Sequence, residues 1–73
     1  MAHNGETEIE MVQRHIRQGE EIVTSQRKVV ASLPPDSALE KTARQLLAQF
    51  EDALENHRAH LTRLLNQHPE AGL

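Results

Sequence analysis

The run FEDALENHRAHLTRLL, residues 50–65, places His57 and His60 three positions apart among leucines spaced for one face of a helix. An imidazole there can ligate a metal, move a proton, loosen a contact on protonation, or simply sit at the edge of a core. A third histidine, His15, belongs to HIRQGEE near the other end of the chain. If the chain folds back about its middle, His57 faces Ile16, and His15 and His60 fall on the same edge at about the same level. Three imidazoles, with water or a carboxylate such as Glu10, could then bind zinc, nickel or copper. The spacing is not the H-E-x-x-H arrangement of metalloproteases, so His15, His57 and His60 stand as metal candidates without a motif behind them. No cofactor is expected. A pH-responsive contact, weakened when imidazoles take a proton below about pH 6, ranks ahead of a metal site. Half-buried structural histidines rank ahead of both. His3 and His68 fall in tails expected to fray and are given no role.

Catalysis asks for more than a histidine. A general base needs an oriented partner and a concave pocket, and a chain with one phenylalanine, no tyrosine and no tryptophan offers little concavity. No phosphate loop, nucleophile elbow or paired-carboxylate site is present, and the absence of cysteine removes disulfides, thiolate zinc sites and thiol chemistry together. The expectation is a non-enzymatic protein.

The elements that position these residues are legible. TEIE reads as a capping box, with Thr7 capping the backbone of Glu10 and the Glu10 side chain reaching back. From there Ile9, Val12, Ile16, Gly19, Val23, Gln26, Val30 and Leu33 alternate steps of three and four, which is a heptad seam. The pair Pro34 and Pro35 stops the helix, and Ser37 with Glu40 reads as a second capping box that restarts it. A second seam follows, with Leu47, Leu54, Leu61 and His68 at one heptad position and Ala43, Phe50, His57 and Leu64 at the other. The spacing therefore predicts an all-α hairpin: one domain over residues 1–73, a helix over about 7–33, a Pro-Pro turn at 34–36, and a helix over about 37–67. At 1.5 Å per residue these helices run about 40 to 46 Å, and a short turn makes them antiparallel. The expected neighbours are Val30 and Ala43, Val23 and Phe50, Gly19 and Leu54, Ile16 and His57, and Ile9 and Leu64. Gly19 would admit a bulky side chain from the other helix, and Gln26 is a polar seam residue able to fix register.

Each helix also carries a third row beside the seam. On the first helix it is His15, Ile22 and Val29; on the second it is Leu39, Leu46, Ala53 and His60. Bundle helices use three such positions in seven, whereas a lone pair of helices covers two. Both extra rows fall on one edge of the hairpin, so a single copy would leave a continuous apolar strip in water, and strips of that kind mark interaction surfaces. The expected interface is His15, Ile22, Val29, Leu39, Leu46, Ala53 and His60, and the expected partner is a second copy forming a four-helix bundle. A heterologous protein on the same edge is the alternative. The charges on the remaining face, including the Glu40/Arg44 and Glu55/Arg58 spacings, read as solvated pairs serving solubility.

Eleven acids against eight bases give a formal charge of −3, and the bases are scattered among the acids. That argues against nucleic acid, which is bound through a clustered basic footprint, and leaves a nucleic-acid-associated regulator as the third functional reading. The polar, acidic MAHNGETEIE lacks the features of a secretory signal, and no apolar run approaches the roughly 20 residues of a membrane span. No membrane partner is expected, and the expected location is the cytoplasm.

HIRQGEEIVTSQ followed by LLAQFEDALENHRAHLTRLL resembles a group of short, uncharacterised bacterial helical-hairpin proteins. They share HI-x-x-GE, then Q, then LL-x-x-FE-x-x-L-x-x-H-x-x-H and a closing leucine pair. The match spans about residues 15–65. The resemblance implies the same hairpin and brings no activity, cofactor or site residue.

Overall fold

The structure, a computed structural model, describes residues 6–67. The tails holding His3 and His68 lie outside the described residues. The described residues form two helices, α1 (Glu8–Ser32) and α2 (Ala38–Gln67), which pack against each other in an all-helical hairpin. Each helix begins one residue inside its expected bound, because Thr7 and Ser37 serve as caps and a cap stands outside the helical dihedrals. Thr7 is extended at φ −80° and ψ 166° and completes a capping box. Its hydroxyl accepts from the Glu10 amide at 3.1 Å, while its own amide donates to the Glu10 carboxylate at 2.9 Å.

The second start differs from expectation. The Ser37 hydroxyl accepts from the Glu40 amide at 3.1 Å, but the Ser37 amide donates to the Pro34 carbonyl at 3.2 Å. The Glu40 carboxylate turns instead to Arg44 Nε at 2.9 Å, so only half of a capping box forms. The turn is also longer than expected and occupies residues 33–37. Leu33 is extended at φ −96° and ψ 151°, the conformation a following proline imposes. Asp36 takes φ 62°, a left-handed conformation that a short polar side chain tolerates better than most.

A pair of helices side by side gives a body of 49 × 24 × 20 Å, so each helix has one neighbour and much of its circumference faces outward. The buried apolar residues among those described are Val12, Val23, Ala43, Leu54 and Leu64, all seam positions. The four larger ones stabilise the hairpin by roughly 1.5–3 kcal/mol each. Gly19 and Leu54 meet as the spacing requires: a Cβ placed on Gly19 would lie 3.1 Å from Leu54 Cδ1, so the missing side chain lets the helices approach here. Two turns further along, Gln26 Nε2 donates to the Ala43 carbonyl oxygen at 2.9 Å. This polar seam residue reaches across to backbone rather than out to water, and the bond is made in one register only. No described helix is long and apolar enough to cross a membrane.

Candidate interaction face and its histidine pair

The hairpin has two broad faces of opposite character. On one, charged side chains reach across the seam. Arg27 Nη2 lies 3.1 Å from Glu51 Oε2, and Arg58 Nη2 lies 3.1 Å from Glu20 Oε2. Arg58 also approaches Glu55 along its own helix at 3.9 Å, a longer contact than the one it makes across the seam. Arg27 thus pairs with Glu51 and Arg58 lies near Glu55, which offsets the repulsion of two carboxylates four residues apart.

The opposite face is apolar. A shallow groove of about 220 Å³ runs between the helices, lined by His15, Gly19, Ile22, Phe50, Ala53 and His57 among others. Heptad spacing carries the same stripe toward the turn, through Val29 on α1 and through Leu46 and Leu39 on α2. Among the described residues, the large apolar side chains left in water are the four that the third rows contribute: Ile22 is 46% exposed, Val29 44%, Leu46 40% and Leu39 68%. Ala53 is exposed as well, while His15 and His60 are half-buried.

The histidines divide into two sites. His15 and His57 face each other across the groove with ring centres 5.3 Å apart and planes tilted by 50°. Folding back about the turn thus brings His15 to His57, as the spacing implies. His60 Nε2 instead lies 3.6 Å from the Glu8 carboxylate. Glu10, the carboxylate considered as a fourth ligand, is bonded to the Thr7 amide. Among the described residues, no group of three or more histidine, cysteine, aspartate or glutamate side chains gathers to hold a metal ion, so the three-imidazole site does not form.

Comparison with protein-family models, with curated proteins and with solved structures returns no match to this chain.

Glu40 is the residue whose placement departs most from expectation. It is buried at 9% exposure, with Oε1 lacking a hydrogen-bond partner and Oε2 held by Arg44. The signal was available: Glu40 precedes Leu47 by seven residues and Leu54 by fourteen, which puts it on the seam rather than on the solvated face. Arg44 also reaches Asp36 in the turn at 3.7 Å, so one guanidinium braces both the turn and the first turn of α2. At the other end of the hairpin, Glu6 accepts from Arg14 Nε at 3.1 Å and Nη2 at 3.2 Å. Those bonds, and then the carboxylate charge, raise the guanidinium above its ordinary range.

Proposed function

We propose that this chain is a small, non-enzymatic interaction module whose apolar face pairs with the same face of a second copy, closing a four-helix bundle. The carrying observation is that Ile22, Val29, Leu39 and Leu46, each at least 40% exposed, form one stripe while the opposite face is bridged by ion pairs. A second copy suits this stripe better than an unrelated partner for two reasons. The stripe has equal shares on both helices, so a two-fold axis lets each copy cover the other over its length. The groove at its centre is also lined by no carboxylate, lysine or arginine that would select a differently charged surface. The small seam core adds a reason, since chains this short gain much of their burial from association.

Such a module acts by holding two copies, or by exchanging one copy for another helical surface, rather than by chemistry. A cytoplasmic setting and kinship with the short bacterial hairpins that the HI-x-x-GE pattern resembles belong to the same proposal. Sedimentation equilibrium over a hundredfold range of concentration tests it. We expect the mass to approach twice the chain's 8.3 kDa and Leu46→Glu to return it to one chain. A folded protein that stays monomeric throughout would refute the reading.

A further inference from the structure

We propose that His15 and His57 make self-association through the apolar face acid-sensitive, so that the dimer holds at neutral pH and parts into single hairpins as the rings take up protons. The inference rests on the self-pairing reading above and adds its regulation. The two rings come from different helices, are half-buried, and stand 5.3 Å apart in the groove between α1 and α2. The rest of that groove's lining, Gln18, Gly19 and Ile22 from α1 with Phe50, Ala53 and Leu54 from α2, carries no charge. As neutral rings His15 and His57 make an ordinary contact. Once both are protonated they are two like charges in one groove, with no carboxylate among the described residues lining it. A single hairpin leaves the groove open, so water solvates those charges. A second copy laid over the face removes that water, and an uncompensated charge buried among apolar groups opposes association. Association therefore selects the neutral rings: it is full above the imidazole range and falls as pH drops through it.

The charged groups nearby do not relieve this. Arg14 and Arg58, chain neighbours of the two histidines, are engaged by Glu6 and Glu20. Toward the open end of the hairpin, acid strengthens the contact of His60 with the Glu8 carboxylate at 3.6 Å, but both side chains are more than a third exposed and water screens them. Protonation also moves the net charge from −3 toward neutrality, which eases repulsion between copies. A loss of association in mild acid thus runs against the overall charge and is the signature of the groove.

The test is the dimer dissociation constant of the full chain at pH 7.5 and pH 5.5 in the same salt, measured by ultracentrifugation, with circular dichroism on the same samples to follow the helices. Carboxylates stay largely ionised over this interval, whereas imidazoles pass from neutral to charged. We expect the parent's constant to rise at least about tenfold at pH 5.5 while helicity is retained. The double variant His15→Gln with His57→Gln should associate equally well at both pH values. Each single variant, milder for the fold, should show a smaller rise than the parent, and His60→Leu should keep the full rise. A parent that is monomeric at pH 7.5 would overturn the self-pairing reading and the switch with it. A parent dimer equally tight at both pH values, a full rise that survives in both single variants, or one that vanishes with His60→Leu would overturn the switch alone.

Discussion

The two broad faces of this hairpin are built on the same seam and have opposite chemistry. Where Arg27 and Arg58 cross to Glu51 and Glu20, long side chains bridge the helices and leave a charged surface over Val23 and Leu54. Where Ile22 and Ala53 line the groove beside His15 and His57, shorter apolar side chains leave it open. The first face is complete in one copy. The second exposes side chains that cost free energy in water and recover it only when something covers them. Amphipathicity in a two-helix protein is therefore a property of faces as much as of seam against surface, and the uncovered face is where function is to be sought.

Substitutions on one helix sharpen that contrast most. Leu54→Ala empties a seam site and should destabilise by roughly 2–5 kcal/mol, whereas Leu46→Ala, eight residues earlier and 40% exposed, should cost a dilute monomer less than about 1 kcal/mol. Urea melts followed by circular dichroism at low protein concentration measure both, and equal losses would mean that the two faces are not distinct. Association should reverse the order. Leu46→Glu places a charge in the proposed interface and should weaken self-association by at least about tenfold, since one buried leucine contributes roughly 1.5–3 kcal/mol. Leu54 makes its contacts within one copy and should affect mass only through folding.

Gly19 sets how closely the helices approach. A valine there pushes on Leu54, whose Cδ1 lies 3.1 Å from the nearest Cβ position, and should cost roughly 1–3 kcal/mol. Alanine should come close to neutral, as a helix-propensity gain of about 1 kcal/mol offsets the tight contact. A stable Gly19→Val hairpin would show the approach at this position to be adjustable. The smallest effect belongs to the charged face: a double-mutant cycle on Arg58 and Glu20, both half-exposed, should give a coupling of about 0.2–1 kcal/mol that salt removes. A coupling of several kcal/mol would make that face, not the seam, the main source of hairpin stability.

Much of the architecture was legible in the sequence because its determinants are local or periodic. The Thr7 cap, the proline stop and the heptad steps each act within a few residues, and folding back about Pro34 and Pro35 brings Gly19 to Leu54. The exposed stripe was legible for the same reason, since it follows from helical spacing alone. What sequence did not yield depends on competition between partners. Ser37 and Glu40 have the spacing of a capping box, yet Arg44 takes the carboxylate, because a charged donor one turn away outcompetes a backbone amide that Pro34 already satisfies. His15 and His60 were expected on one edge at about the level of His57, yet His60 lies beside Glu8. Periodicity places a side chain on a face, and only the rotamer and the partners within reach decide which group it meets.

The central claim is that the apolar face, and not the charged one, joins two copies. Isotope-filtered nuclear Overhauser spectra on a mixture of labelled and unlabelled chains test it most directly. The account requires intermolecular contacts from the methyl groups of Ile22 and Val29 to those of Leu39 and Leu46, with none involving the stem of Arg27 or Arg58. Intermolecular contacts confined to the Arg27 and Arg58 face, or none at all in a sample at millimolar concentration, would contradict it.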